Sequence, residues 1–274
     1  MFSINPALTL LKETSRTFYI PISLLPSGLQ EAVASAYLCM RAIDQIEDHA
    51  VLDYVVKAKL LRQLSLNLQA GTAESSVDDF AKGLDSYKSE LEEVTMRIGE
   101  WALLAPDSIS PRIWDATAAM ADRMAYWAER NWQIETEADL NGYTFSVAGA
   151  VGLMLSDLWA WHDGTQTSRT AAIGFGRGLQ SVNILRNHKE DFAQRGVSFF
   201  PAGWTEADMQ AFARRNLVLA DTYTAALPKG PALLFCRIPL ALAHATLNVM
   251  AEGKEKLTRS DVMAIVSPLS QIAS

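Results

Sequence analysis

The sequence has little of what marks extracellular or nucleic-acid-binding proteins. It contains 2 cysteines in 274 residues, Cys39 and Cys236, which are too few and too far apart for a disulfide framework or a zinc site. We therefore expect a reducing compartment and two small buried side chains. Basic residues are not in excess, because the formal net charge is −7 and the isoelectric point is near 5.2. This balance argues against nucleic acid as a partner.

Long apolar runs and strand-like alternation are also lacking. No stretch of about 18 uncharged apolar residues occurs, so the sequence predicts no membrane span. The N-terminal residues lack the basic start of a secretory leader. We therefore expect a cytoplasmic protein with at most peripheral membrane contact. No glycine-rich dinucleotide fingerprint is present, which leaves the use of a nicotinamide cofactor undecided.

Helix-forming residues and helix punctuation fill the rest of the chain. Helices joined by short loops predict one all-α domain over residues 1–274. Ser27, with Gln30 at the capping-box position, is the predicted start of the second helix. Residues 15–26 are predicted to be irregular and Asn141-Gly142 to be a turn. The predicted helices are Pro6–Thr14, Ser27–His49, Asp53–Ala70, Val77–Leu104, Pro111–Gln133, Val147–Trp161, Thr167–Phe192, one that begins at Thr205, Ala232–Glu252 and Arg259–Gln271.

A first polar ridge is predicted on the helix that carries YLCMRAIDQIED. Its members are Tyr37, Arg41, Asp44 and Asp48, which share one helix face. Asp44 and Asp48 are one turn apart, and like charges at that spacing destabilise a bare helix. A hard divalent cation such as Mg²⁺ would neutralise them through oxygen ligands. The alternative is a solvated acidic face without a ligand.

A second polar ridge is predicted in QSVNILRNHKED. Its members are Gln180, Asn183, Asn187 and Asp191, with Arg186 beside them. The apolar neighbours predict a largely buried helix, in which unpaired polar groups cost about 1–3 kcal/mol each. If this ridge faced the first, the two would form a metal–diphosphate clamp. The alternative is a satisfied polar network inside a helical bundle.

These segments resemble the squalene/phytoene synthase family, the head-to-head prenyl transferases, over nearly the whole chain. SRTFYIPISLLP is similar to the family's N-terminal segment, and YLCMRAIDQIED resembles its first aspartate-rich motif. The segment from Tyr143 to Gly152 resembles the family pattern Y-x-x-x-V-A-G-x-V-G, and QSVNILRNHKED resembles the second aspartate-rich motif. The resemblance implies an all-α isoprenoid-synthase bundle with a central cavity.

The resemblance also implies roles for individual residues. Asp44, Asp48, Asn183, Asn187 and Asp191 would ligate Mg²⁺, which bridges to an allylic prenyl diphosphate and promotes its ionisation. Tyr37 and Arg41 would contact the substrate, and Tyr143 would supply π-density or a hydroxyl group. The other residues implied to bind substrate are Thr14, Ser15, Arg16, Thr17, Gln180, Arg186 and Lys256.

Besides Arg195-Gly196, which stands in place of the family's glycine-arginine pair, three single positions depart from the family pattern. Asn187 stands where the second motif normally opens with Asp, so it keeps an oxygen ligand but loses a negative charge. Pro239 stands where a tyrosine is expected after Arg237. Lys256 replaces an Arg. The departures at Asn187 and Pro239 motivate an enzyme with an altered outcome.

Three functions therefore remain open. The first joins two farnesyl or geranylgeranyl diphosphates head-to-head. The second is an altered outcome: hydrolysis to an alcohol, arrest at a cyclopropyl intermediate, or transfer to another acceptor. The third is a non-catalytic partner subunit. Chain length, NADPH use and oligomeric state cannot be derived from the sequence.

The loop after the second motif contains three aromatic residues, Phe199, Phe200 and Trp204. They are candidates for a hydrophobic exit rim or a membrane contact. The alternative, which we favour, is that they pack on the core as a cover.

Overall fold

The computed structural model describes residues 3–271, and this part of the chain consists of helices and loops without a β-strand. The all-α prediction is therefore confirmed. The α-helices are α1 Ile4–Thr14, α2 Arg16–Ser23, α3 Leu29–Asp48, α4 Tyr54–Gln69, α5 Val77–Ala81, α6 Glu93–Met96, α7 Ile98–Ala102, α8 Ser110–Glu129, α9 Glu137–Thr144, α10 Ala150–Asp163, α11 Arg169–Arg195, α12 Glu206–Ala226, α13 Pro231–Ala251 and α14 Arg259–Gln271. Asp85–Tyr87 is a short 3₁₀ helix, and Phe145–Gly149 is a π-helical turn.

The helices form two compact units. The first consists of Met1–Tyr19 and Pro26–Trp132, and the second of Ile20–Leu25 and Gln133–Ser274. The extent of a single domain over the whole chain stays a prediction.

Helix α3 is the central element of the first unit. Its residues Ala34, Leu38 and Ile43 have no exposed surface. Two buried hydroxyl groups tie other segments to it. Ser35 Oγ donates to the Trp101 carbonyl at 2.7 Å, and Thr95 Oγ1 donates to the Ala42 carbonyl at 2.8 Å. Because these bonds are buried, they fix the position of α3 against the short helices α6 and α7.

The prediction of one long helix over Val77–Leu104 is wrong. This segment is divided into α5, the 3₁₀ helix, α6 and α7. Gly83 has a positive φ of 91°, which ends the helical path. Gly99 lies so close to the first turn of α5 that an added Cβ would be 2.1 Å from the Val77 carbonyl oxygen. Residues good at forming helices thus make a folded-back segment, because the tertiary packing overrides their propensity.

Two predictions for the N-terminal part of the chain are wrong: the irregular segment over residues 15–26 and the helix start at Ser27. Residues 16–23 form α2, with Pro21 inside it, and are not irregular. Helix α3 starts after Gly28, whose N–H donates to the Glu31 carboxylate at 2.5 Å, so the Ser27–Gln30 capping box is wrong. Two other predicted helix starts are confirmed, because Asp53 caps α4 and Thr205 caps α12.

In the second unit, α9, the π turn and α10 follow one another without a break. The predicted turn at Asn141-Gly142 is therefore wrong, because both residues lie inside α9. Glycines let this segment approach α11 closely. A Cβ on Gly152 would lie 2.0 Å from the Ala172 carbonyl oxygen, and one on Gly176 would lie 2.0 Å from that of Ala148. The glycines of the V-A-G-x-V-G segment thus serve helix–helix contact in this chain.

A buried polar cluster lies in the core of the second unit. The Tyr223 hydroxyl is 3.0 Å from Ser156 Oγ and accepts from Trp159 Nε1 at 3.1 Å. Burial, with a smaller contribution from Cys236, raises the pKa of Tyr223 to about 12. The hydroxyl is satisfied by these partners, so the cluster is structural.

Among the described residues one helix, α13, is long and apolar enough to cross a membrane. In its most apolar stretch, 56% of the residues are buried inside the protein. Ile238 and Leu242 of α13 pack with Val266 of α14. Core helices of soluble proteins share this length and composition, so the helix is weak evidence for a span.

Candidate active site

The first ridge lies on the C-terminal half of α3. Arg41 Nη1 forms an ion pair with Asp44 Oδ2, three residues further along the helix. Both side chains are about one-third exposed, at 29% and 32%. Asp48 is the last residue of the helix and is exposed. Of the two carboxylates predicted to be neighbours, Asp44 is therefore already paired with an arginine of its own helix.

Two further predicted residues, Tyr37 and Ser15, meet beside this ion pair. The Tyr37 hydroxyl is hydrogen bonded to Ser15, and its ring lies 5.5 Å from that of Phe18. Burial raises the pKa of Tyr37, although the Ser15 hydrogen bond and the charge of Arg41 act against that rise. Tyr37 therefore stays a neutral phenol at physiological pH, able to donate or accept a hydrogen bond.

Arg41 stays charged despite its partial burial. Burial by itself would lower its pKa, but Asp44, Tyr37 and Asp48 together outweigh that effect and raise it. Its Nε atom is buried and hydrogen bonds to no described residue. A guanidinium with a spare donor is suited to a further anionic partner.

The other predicted substrate contacts of the first unit are less engaged. Thr14 Oγ1 donates to the Leu10 carbonyl at 2.8 Å, which is a bond within α1. Thr17 is exposed, and Arg16 begins α2, but the side chain of Arg16 lies outside the part that the structure describes. The structure thus brings together Ser15, Tyr37, Arg41 and Asp44, and leaves Thr14 and Thr17 outside this cluster.

The second ridge lies on α11, and Arg186 occupies its amides. Arg186 Nη2 donates to Asn183 Oδ1 at 2.7 Å, and Arg186 Nε donates to Asn187 Oδ1 at 3.0 Å. Asn187 Nδ2 also reaches Asn183 Oδ1 at 3.4 Å. The oxygens predicted to ligate a metal are therefore hydrogen-bond acceptors for a neighbouring cation. Gln180 and Asp191 are half-buried on the same helix.

Tyr143 is buried at the end of α9, directly before the π turn. Its ring stacks on Phe199 at 4.7 Å, and Phe200 stacks on His188 at 4.0 Å. Both phenylalanines are buried, at 4% and 8% exposure. Trp204 is half-buried and meets Phe212 edge-on at 5.9 Å. The loop after α11 thus covers the core, as favoured from sequence, and its phenylalanines are not a membrane-facing rim.

The sequence analysis missed Arg177, a half-buried cation on α11. Its Nη2 donates to the Asn141 carbonyl at 2.9 Å, and its guanidinium lies 5.8 Å from the Phe145 ring. Burial lowers its pKa. The sequence signal was a charged residue inside the glycine-rich run GFGRG. Arg177 fastens α11 to the segment that contains Tyr143.

The late positions that differ from the family pattern lie in or near α13. Pro239 is buried inside α13, and Arg237 is exposed on the same helix. Lys256 is exposed in the loop before α14. Among the described residues, no hydrogen bond or ion pair joins Lys256 to the second ridge.

Each ridge, taken by itself, carries donor atoms that suit Mg²⁺ bound together with a diphosphate. Asp44, Asp48 and Asp191 offer carboxylate oxygens, and Asn183 and Asn187 offer amide oxygens, all of which are hard ligands. Within residues 3–271 no group of three or more His, Cys, Asp or Glu side chains is placed to hold a metal ion. Mg²⁺ commonly takes only one or two protein carboxylates and completes its shell with phosphate oxygens and water.

Solved structures establish the fold class. The chain is similar to TcSQS solved with the ligand BPH1237, with a TM-score of 0.79, 22% identity, and coverage of 97% of this chain and 86% of that one. It is also similar to a dehydrosqualene synthase solved with a ligand, with a TM-score of 0.59, 19% identity, and coverage of 97% and 95%. The fold is therefore that of the all-α isoprenoid synthases.

Sequence comparison gives the family. The profile described as squalene/phytoene synthase matches residues 11–210. The squalene synthase of Schizosaccharomyces pombe is 31% identical, over 89% of this chain and 59% of its own length. That of Eremothecium gossypii is 30% identical, over 92% and 63%. The chain belongs to the squalene/phytoene synthase family, whose members are prenyltransferases, and it spans about three-fifths of the length of these relatives.

Proposed function

We propose that this protein is a Mg²⁺-dependent prenyltransferase that joins two prenyl diphosphates head-to-head. The observation that carries the proposal is the cluster on α3. An arginine with a spare buried donor lies among two carboxylates, a serine hydroxyl and a neutral phenol. This cluster falls inside the segment that matches the family.

Each ridge has a defined part in the proposal. Asp44 and Asp48 would hold Mg²⁺ at the first ridge, and Asn183, Asn187 and Asp191 would hold Mg²⁺ at the second. Bound Mg²⁺ neutralises the charge that develops on a departing diphosphate. Arg41 and Arg186 add hydrogen bonds to diphosphate oxygens, which are stronger because both partners are charged.

Aromatic residues protect the reacting carbon. Ionisation of an allylic diphosphate leaves a carbocation, which any nearby water would capture. Tyr143 is buried and stacked on Phe199, so its ring offers π-density at a fixed orientation without admitting water. The double bond of a second prenyl diphosphate attacks this cation and forms a carbon–carbon bond, and the resulting cation closes to a cyclopropyl diphosphate by losing a proton to the released diphosphate.

The geometry of the second ridge favours a second candidate function. Because Arg186 already donates to both amide oxygens, Mg²⁺ has a weaker hold there than a carboxylate at position 187 would give. The result of this weaker binding would be an enzyme that ionises one prenyl diphosphate but stops at a cyclopropyl product or releases an alcohol. A non-catalytic subunit would not need the half-buried charges of the first ridge.

Product analysis distinguishes these functions. Purified protein is incubated with labelled farnesyl diphosphate, and in parallel with geranylgeranyl diphosphate, with Mg²⁺ or EDTA and with or without NADPH. Complete head-to-head transfer predicts a hydrocarbon of doubled chain length, in the Mg²⁺ arms alone. A cyclopropyl diphosphate or a prenyl alcohol as the sole product, even with NADPH, supports the second candidate. Unchanged substrate in every arm would contradict both.

A further inference from the structure

Glu47 lies in the same turn of α3 as Asp44 and Asp48 but is buried. It is 1% exposed, whereas Asp44 is half-buried and Asp48 is exposed. Its Oε1 atom accepts a hydrogen bond from Trp132 Nε1 at 2.6 Å. A carboxylate that is removed from water and already bonded to an indole points into the core, away from a ligand in solvent.

Lys57 of α4 completes the contact from the other side. Its Nζ donates to the Glu47 backbone carbonyl at 2.7 Å and lies 5.0 Å from the Trp132 ring. The side chain is 5% exposed. Carbonyl groups in the last turn of a helix have no partner within the helix, and a cation there also balances the helix dipole. Lys57 therefore stabilises the end of α3, where acidic residues alone would be unfavourable.

Trp132 is held in a conformation that few residues other than glycine adopt. Its φ is 49°, and that of Asn131 is 51°. Such a backbone persists only where the surroundings fix it, and it is often found near functional sites. Here the indole is 5% exposed and ties the residues after α8 to Glu47.

From these contacts we infer that Glu47, Trp132 and Lys57 form an anchor that positions the last turn of α3 and, with it, the carboxylates of Asp44 and Asp48. Glu47 is thus a positioning residue and not a metal ligand. The inference rests on the proposed function for Mg²⁺ binding at the first ridge. Removing the indole donor should loosen the turn, so that two carboxylates no longer meet a metal–diphosphate in one fixed arrangement.

A substitution with a matched control tests the anchor. Trp132→Phe removes the Nε1 donor and keeps an aromatic ring for Lys57. Trp114→Phe is the control, because Trp114 is also buried in the first unit, but its Nε1 donates to the Ala102 carbonyl at 2.7 Å and not to a side chain of α3. The probe is Mg²⁺ titrated at a fixed concentration of inorganic diphosphate, with the rise in melting temperature as the readout. Turnover is measured over the same Mg²⁺ range.

The two variants should differ in metal dependence and not simply in stability. For Trp132→Phe, the Mg²⁺ midpoint should rise by about tenfold, as expected when a group that orients a metal ligand is lost. Most of its lost turnover should return at saturating Mg²⁺. Trp114→Phe should lower the melting temperature but keep the midpoint within about twofold. Equal midpoints in the two variants would overturn the anchor while leaving the proposed function intact.

A second pair of variants tests the anchor if Trp132→Phe does not fold. Glu47→Gln keeps an oxygen acceptor for the indole and should keep the midpoint within about twofold, whereas Glu47→Leu should raise it by about tenfold. A tenfold rise in Glu47→Gln would make the carboxylate itself a ligand and overturn the positioning role. A wild-type protein with neither a Mg²⁺ response nor turnover would overturn the proposed function, and the anchor with it.

Discussion

The two polar ridges both follow the i,i+3/i+4 periodicity of a helix face, but their arginines have different partners. On α3, Arg41 pairs with the Asp44 carboxylate, and the pair is only about one-third exposed. On α11, the exposed Arg186 donates to two neutral amides, Asn183 and Asn187. The first ridge therefore has an excess of one negative charge, whereas Arg186 and Asp191 balance on the second.

This difference separates the effect of side-chain geometry from the effect of charge on a helix that we propose binds a metal. Helical periodicity decides which side chains share a face, and both ridges obey it. The charge on that face depends on single residues, and Asn187 changes it without changing the geometry. We therefore expect the first ridge to contribute most of the Mg²⁺ affinity. The balanced charge of the second ridge should keep its own contribution to that affinity small.

The largest effect is expected at the carboxylates of the first ridge. Asp44→Asn and Asp48→Asn should each lower turnover about a thousandfold, the size expected from losing a metal ligand at the developing charge. Their stabilities should differ. Asp48→Asn removes an exposed like charge and should leave the melting temperature unchanged or slightly higher, while Asp44→Asn leaves Arg41 without its ion pair and should lower it. Steady-state kinetics and calorimetry of both variants measure this; wild-type turnover in either would contradict the metal role.

A smaller but still large effect is expected from the packing that positions the second ridge. Gly152→Ala would place a methyl group 2.0 Å from the Ala172 carbonyl oxygen. We expect a loss of about 2–3 kcal/mol in the free energy of unfolding, as for overpacked cores. Gly203→Ala is the control, since its Cβ meets no atom within 4 Å and only its φ of 77° is unfavourable. Urea unfolding that gave equal losses would mean that the close approach is not a constraint.

Exchanging the arginines for methionine should affect the ridges differently. Arg41→Met removes the ion pair of the half-buried Asp44, so it should lower the free energy of unfolding by about 1 kcal/mol and also reduce kcat. Arg186→Met alters an exposed side chain and should stay within about 0.5 kcal/mol of wild type, raising KM for the diphosphate substrate instead. Thermal unfolding and Michaelis profiles together check the contrast. Similar profiles for the two variants would remove the distinction between the ridges.

A fourth prediction compares buried acids in the two units. Burial raises the pKa of Cys39 in the first unit to about 12 and that of Tyr223 in the second to about 12. Their unfolded forms ionise nearer 9 and 10. In that window the unfolded chain has lost protons that the folded chain keeps, so stability falls as pH rises. Denaturant unfolding from about pH 8 to about pH 11 should show this fall, and Cys39→Ala and Tyr223→Phe should each flatten it. If both variants kept the wild-type dependence of stability on pH, the raised pKa values of Cys39 and Tyr223 would not be its cause.

Sequence periodicity predicted most of the long helices because their buried faces are regular. It failed where tertiary contacts decide the local structure. Residues 77–104 favour helix by composition, yet Gly83 and Gly99 divide them into short segments. Asn141-Gly142 has the composition of a turn, yet it lies inside α9.

The site was predictable as a set of residues and less so as a set of contacts. Tyr37, Arg41 and Asp44 do share a face of α3, as the helical spacing requires. The role of Glu47 was missed, although its angular position within about 40° of Ile43 was a signal of burial. No sequence pattern predicts that Arg186 would turn onto Asn183 and Asn187, because that contact depends on side-chain rotamers.

The smallest effect is expected at Asn187. This position gives the most direct test of the central claim, which is that the charge on the second ridge limits the affinity for Mg²⁺. Asn187→Asp restores a carboxylate one turn from Asp191 and gives Arg186 a charged partner. Lys189→Met is the control, since it changes the net charge by the same amount from the opposite face of α11. The measurement is a Mg²⁺ titration of turnover with products identified. We expect the midpoint of Asn187→Asp to fall about fivefold, equivalent to about 1 kcal/mol, with more product of the later steps. The Lys189→Met midpoint should stay at the wild-type value. An unchanged midpoint and product for Asn187→Asp would contradict the account.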